Sequence, residues 1–412
     1  IVRPRESDKT FASYFQRDIE LRLDCMMYNW LHNKSSGSCA VLQLQLSKEL
    51  EDNHSMTEKK QQPGHNHEGV DLAKRAALRR LALVPIYALG LDALDAVPKW
   101  APEDLLTHCA AGITACEHLS KGIGEDIRLA SQVLTTYLPP LQSIVEQSSV
   151  HRKEAARLVA QALLTKARLG VHRDGPKRAA IYGKQAAVYG KESGNILLRL
   201  LILRNQAWIY ACNKQEQLAL ETVLKAKCLL EKQLDKGIPI HPTIQSSILI
   251  GVAKYQALNG QDEDALITSH NAKGVFFTSE DAGDGADIVG MDYNYSSLLL
   301  HDGLTYYYLQ QYEKALEILD QAIDFKTLVP KVPILSKRIH IEIINNETLA
   351  SLKRPKKDME LSIKLWTAGI QGAIDLRSEQ RYSEALEAYS IMQALWSGEK
   401  RFKELRDLRR HW

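Results

Sequence analysis

The sequence lacks most of the local signatures that announce chemistry. It contains no G-x-x-x-x-G-K-[ST] phosphate cradle, no G-x-G-x-x-G turn, no G-x-S-x-G nucleophile elbow and no H-E-x-x-H zinc helix. No apolar run reaches the ~18 residues a membrane-spanning helix needs. The nearest, Leu81–Val97, is broken by Pro85, Gly90, Asp92 and Asp95, so no membrane partner is expected. The six cysteines (25, 39, 109, 116, 212 and 228) form no C-x-x-C pair. A disulfide scaffold is therefore not expected, and a reducing, cytoplasmic setting is the default. Charge of one sign is scarce as well. Lys and Arg number 53 against 50 Asp and Glu, a net charge of +3, so the bulk of the chain does not read as a nucleic-acid binder.

What is present is helical. The 412 residues, 45% hydrophobic and 25% charged, allow two to four domains at ~100–200 residues each, or one elongated repeat array. The chain begins at Ile1 rather than Met, which predicts a trimmed fragment with an N-terminal region missing. Residues 1–52 read as a small helical unit, with Phe11, Phe15, Ile19, Leu23, Met26 and Trp30 at helical spacing. Residues 53–70 are polar and rich in Pro, Gly and His, and read as a flexible linker. From 71 to 412 helices of ~12–20 residues alternate with short loops, with no strand pattern, as in stacked antiparallel helix pairs.

The most informative stretch is SSLLLHDGLTYYYLQQYEKALEILDQAI (296–323). Its first helix carries Leu299, Gly303 and Tyr306; a turn at Gln310–Gln311 follows; its second helix carries Ala315, Leu319 and Ala322. The small residues let two antiparallel helices approach closely while Leu299, Tyr306, Tyr312 and Leu319 fill the space. This resembles a tetratricopeptide repeat (TPR), with Asp302 standing where Leu is usual. Segments around Ala167 and Ala179, Ala207 and Ala219, Ala253 and Ala265, and Gly372 and Ala385 fit less completely. The fold class expected is all-α, a TPR-like α-solenoid with a small N-terminal helical unit.

In such an array the small residues pack, and function lies on the inner face set by the first helices. Counting from each small residue places Arg168, Arg204, Asn205, Trp208, His301, Tyr307, Tyr308, Asn345 and Gln371 inward, with His172 and Lys254 beside them. Asn205 and Asn345 suit a peptide backbone, since an amide donates and accepts at once. Arg168 and Arg204 suit a carboxylate through charge-assisted pairing. Trp208, Tyr307 and Tyr308 would wall an apolar pocket.

The stretches RAALRRLALVPIYALGL, ITACEHLSKG, YLPPLQSIVEQSS, KESGN, IINNETLASLK, MELSIKLWTAGIQGA and FKELRDLRRHW resemble a bacterial family of TPR proteins often joined to an N-terminal helix-turn-helix domain. The layout is also similar to peptide-pheromone-sensing regulators. The resemblance implies a regulatory sensor that holds a peptide or protein segment in its concave groove and controls transcription through an attached or partner effector. A homodimer is compatible with it. No helix-turn-helix is evident in 1–52, so DNA would be reached only through a missing or partner domain. The alternatives are a passive scaffold or adaptor, and an accessory subunit of an enzyme.

Other constellations carry less. His65-x-His67-Glu68, with His54, has poor spacing for zinc, so no metal or cofactor is expected. Cys109 and Cys116 share one helix face and read as packing, and nothing near them supplies an oxyanion hole, so no enzyme is expected.

Overall fold

The computed structural model describes residues 75–83, 101–122, 124–277, 293–334, 336–401 and 405–406. The expectations for 1–52 and for the linker 53–70 lie outside them. Asp71–Trp412 forms one compact unit. Among the described residues it is all-α but for one small hairpin, and none of its helices is long and apolar enough to cross a membrane.

A helix over 75–83 (α1) is followed by α2 (Pro102–Leu119), α3 (Gly124–Gln147), α4 (Arg152–Arg173), α5 (Pro176–Ser193), α6 (Ile196–Cys212) and α7 (Glu216–Leu234). Then come α8 (Pro242–Leu258), α9 (Asp262–Phe277), α10 (Tyr295–Tyr308), α11 (Tyr312–Leu319), α12 (Lys337–Lys353), α13 (Met359–Leu376) and α14 (Glu379–Leu395). Local chemistry sets the starts. Proline opens α2, α5 and α8, where its missing N–H costs nothing. Asn195, Asn294, Ser336, Asp358 and Ser378 cap α6, α10, α12, α13 and α14 by accepting a backbone N–H of the first turn.

One turn recurs. After α6, α8, α10 and α13 a single residue takes the left-handed conformation: Lys214, Gly260, Gln310 and Arg377. Each time the next residue's N–H reaches back five positions to a helix carbonyl: Gln215 to Tyr210, Gln261 to Gln256 and Gln311 to Tyr306, all at 2.9 Å, and Ser378 to Ala373 at 3.0 Å. This is the longer bond of a Schellman motif, and it folds the chain back at once. Ala219, Ala265 and Ala315 sit four residues after the first three of these turns, and Ala179 four after Gly175; each is fully buried where the pair crosses. At Gly303 the approach is close: an added Cβ would lie 2.8 Å from Leu319 Cδ2.

The absence of strand expected from sequence is corrected at one place. Helix α11 stops at Leu319, and β1 (Ile323–Asp324) pairs antiparallel with β2 (Val329–Pro330). The Asp324 carboxylate drives this turn by accepting from Lys326 N–H at 2.9 Å and Thr327 Oγ1 at 3.0 Å.

Consecutive helices pack as neighbours, and alternate helices also touch: α4 with α6, α6 with α8, α8 with α10, α10 with α12 and α12 with α14. Helix α14 in turn touches α4, so these six helices form a closed cycle.

Candidate functional site

The cycle encircles a cavity of about 120 Å³. At ~10–15 Å³ per water-sized sphere it takes on the order of ten of them. A charged group with a few attached carbons fits, and a doubled or folded segment does not. The inner face expected as an open concave groove is therefore a ringed cavity.

Its lining is cationic. Arg168 comes from α4, Arg204 from α6, Lys254 from α8, Arg338 from α12 and Arg381 from α14. Among the lining residues there is one carboxylate, Glu342 on α12, and it already holds Arg381, with Oε2 2.6 Å from Nη2. Glu384 grips the same guanidinium through both oxygens, at 2.6 and 2.7 Å from Nη1. Among the described lining residues the Arg and Lys side chains outnumber the carboxylates. Such charges, partly removed from water, attract an anion far more strongly than exposed ones do.

Burial and mutual repulsion set the protonation states. Burial lowers Lys254 to about 8, with Arg204 and Arg381 pushing the same way against the attraction of Glu342. Its ammonium donates to His301 Nδ1 at 3.3 Å, which places the proton of a neutral His301 on Nε2. His301 is held well below its ordinary value by burial, then by Lys254 and Arg204. His172 is depressed by burial, then by Arg338, Arg381 and Arg168. Both imidazoles are thus neutral near pH 7. Glu342 is raised by burial and by Glu384 against the pull of Arg381.

Of the residues chosen from sequence, Arg168, Arg204, Asn205, Trp208 and His301 line the cavity. Asn205 Nδ2 is buried there without a hydrogen-bond partner. The Trp208 ring lies 5.7 Å from that of His172, and the Arg204 guanidinium 5.5 Å from the centre of the Tyr293 ring. Four others sit elsewhere. Asn345 is buried between α12 and α14 and donates to the Arg381 carbonyl at 3.0 Å and to Glu384 Oε2 at 3.2 Å. Tyr307 stacks edge-on against Tyr308 and against Tyr312, each at 5.6 Å. Gln371 is exposed on α13 and donates to Asp375 Oδ1.

Arg338, Glu342 and Arg381 were not among the residues selected from sequence. Arg338 and Glu342 share a face one turn apart on α12, which a careful register would have found. Arg381 comes from α14, which packs on both α12 and α4, and Glu342 of α12 holds its guanidinium. The seam of α14 with α4 carries the hydrogen bond between His172 Nδ1 and Ser378 Oγ at 2.8 Å, and beside it Arg377 Nη1, in the turn before α14, meets Glu125 Oε1 of α3 at 3.1 Å. The candidate metal residues His54, His65, His67 and Glu68 lie outside the described residues. Cys109 and Cys116 are buried, and burial pushes the Cys109 thiol up to about 12. No protein-family model and no curated protein matches the chain.

Proposed function

We propose that residues 71–412 are a TPR-like array of helix pairs that acts as a regulatory binding unit, taking the anionic part of a peptide or protein segment into its ringed cavity. The observation that carries this reading is the convergence of five cationic side chains from five helices on one small space. Side chains of that kind are donors suited to an anionic group. The unit binds rather than converts, and its output passes to an attached or partner effector that controls transcription. The coupling lies in the seam. Residues of both α4 and α14 line the cavity, so a ligand that touches both favours the closed cycle.

The test is calorimetry on the full chain with blocked acidic peptides and their Glu-to-Gln counterparts. Binding of the acidic set, lost in Arg204→Gln and in Asn205→Asp, is the expected result. Binding that survives both substitutions, or no binding by any anion, overturns the reading.

A further inference from the structure

We propose that the outward face of α5 docks an acidic amphipathic helix of a partner protein. No residue of α5 lines the cavity, so this face is a second site, independent of the first. Residues 179–185 read AAIYGKQ and residues 186–192 read AAVYGKE. Two successive heptads thus agree at five positions and exchange only Ile for Val and Gln for Glu at the others. A period of seven returns each side chain to nearly the same side of a helix, which is the pattern of a helix that packs along another.

The fold uses one side of this repeat and leaves the other bare. Ala179, Gly183, Ala186 and Gly190 are buried and seat α5 closely; a Cβ added at Gly190 would lie 2.6 Å from Ile202 Cδ1 of α6. The tyrosines are engaged at the flank. Lys166 Nζ lies 4.7 Å from the centre of the Tyr182 ring, and Gln142 Nε2 donates to Tyr189 Oη at 3.2 Å. Opposite the small residues runs a single exposed line at alternating spacings of four and three: Lys177, Ile181, Lys184, Val188 and Lys191. Ile181 and Val188 are 57% and 64% exposed, so the branched aliphatics of this helix stand in water while Ala and Gly fill its buried stripe. One exposed aliphatic is ordinary. Two at the same position of a repeated heptad make a seam that lacks its second helix.

Charge selects the occupant. Lys177, Lys184, Lys191 and the adjacent Arg178 are exposed and hold no ion pair among the described residues. The carboxylate of α5, Glu192, lies 3.8 Å from Arg152 of α4. A helix with aliphatic residues against Ile181 and Val188 and with Glu or Asp against Lys184 and Lys191 matches both kinds of position. A second copy of α5 would set lysine against lysine. A lipid surface suits an apolar stripe with its cations on the opposite, polar face. Here lysine and aliphatic alternate along one line, and sinking the aliphatics would draw Lys184 in with them.

The experiment is fluorescence anisotropy on the full chain at low salt with a labelled, blocked peptide of three heptads. Each heptad carries Leu at one seam position, Glu at the other and at the flanks, and Ala and Gln elsewhere; a second peptide has Lys for every Glu. The acidic peptide is expected to bind with Kd below about 1 mM, and at least about tenfold more tightly than the basic one. Ile181→Ser with Val188→Ser should weaken it by at least about tenfold, and Lys184→Glu with Lys191→Glu should invert the preference between the peptides. All four positions are exposed, so the melting temperature should stay close to that of the parent. Arg204→Gln should leave this binding unchanged, which separates the face from the cavity. No binding of the acidic peptide below about 1 mM, or no inversion by the charge reversal, overturns the proposal. Acidic-peptide binding lost in Arg204→Gln and kept in the double serine variant overturns it too, and assigns the peptide to the cavity. Sedimentation with phosphatidylglycerol vesicles, or a dimer of the chain alone, that the double serine variant abolishes also overturns it, in favour of a lipid surface or a second copy.

Discussion

His172 near the end of α4 and Ser378 at the start of α14 are joined by a hydrogen bond of 2.8 Å, Nδ1 to Oγ, across 206 residues of chain. The same Ser378 oxygen accepts the Arg381 backbone N–H at 3.2 Å and so caps α14. One hydroxyl thus starts a helix and fastens it to the far side of the cycle.

Ser378→Ala removes both roles. Loss of a serine cap costs about 0.5–2 kcal/mol, and the buried His172 nitrogen is left without this partner. A total of about 1–3 kcal/mol is expected in urea unfolding of the full chain. A variant that unfolds at the parent midpoint would show that the seam contributes nothing.

Arg381→Met leaves Glu342 and Glu384 facing each other without their shared cation. Removing one partner from a buried pair typically costs about 3–5 kcal/mol. The pH dependence has a definite sign. Glu342 is already raised in the folded protein, and the substitution raises it further. Its contribution is therefore fully present below the unfolded carboxyl value and is lost as pH rises through the folded one. Stability of Arg381→Met should fall from pH 5 to pH 8 more steeply than that of the parent. Glu342→Gln on the same background should flatten the curve; parallel curves for all three proteins would refute the linkage.

Lys254 gives the binding reaction a pH window. Its folded value of about 8 lies below the ordinary lysine value, so the charged form is penalised in the empty cavity at lower pH. That penalty fades as pH rises from 8 toward the unfolded value, so this group makes the empty protein more stable over that interval. A bound anion restores the charged form. Anion affinity should thus fall as pH rises through about 8, with protons taken up on binding at pH 8–9. The groups that face Lys254 are Arg204, Arg381, Glu342, His301, Cys212 and the Tyr255 ring. Burial pushes Cys212 up to about 12 and keeps His301 well below its usual value, so neither titrates in this window. Calorimetry in buffers of different ionisation enthalpy measures the uptake. Lys254→Met should abolish it, and uptake that persists assigns the proton to another group.

Gly303 and Gly274 should respond oppositely to alanine. At Gly303 the new Cβ would press on Leu319 Cγ and Cδ2 at 2.8 Å, costing about 1–3 kcal/mol. At Gly274, in α9, nothing lies within 4 Å, and alanine should stabilise by up to ~1 kcal/mol through helix propensity. Thermal melts of the two variants should bracket the parent; the same direction in both would contradict the packing at Gly303.

The fold was legible where size decides. Ala179, Ala219, Ala265 and Ala315 are set by the space between crossing helices, and that constraint is visible in sequence as small residues followed by a bulky one. Arg168, Arg204, Asn205, Trp208 and His301 were legible because they stand on first helices close to such a residue. Asn345 was not, although it obeys the same count. An added Cβ at Gly369 would collide with Asn345 Oδ1, so α13 lies close against α12 here, and the amide is turned to the α14 carbonyl of Arg381. Tyr307 and Tyr308 fall in the last turn of α10, where the left-handed Gln310 brings Tyr312 back against Tyr307. Gln371 lies on α13, which is not one of the six helices of the cycle. The closure of the cycle depends on a contact between segments 206 residues apart. No local pattern encodes that meeting.

The contact of α14 with α4 also changes how the array comes apart. In an open row of helix pairs each unit leans only on its neighbours, and the row can fray from either end. Here the last helix works as a keystone. Neither α4 nor α14 can peel away without opening the arch, and the arch cannot close until its final stone is placed. Residues from α4 to α14 should therefore exchange their most protected amides together.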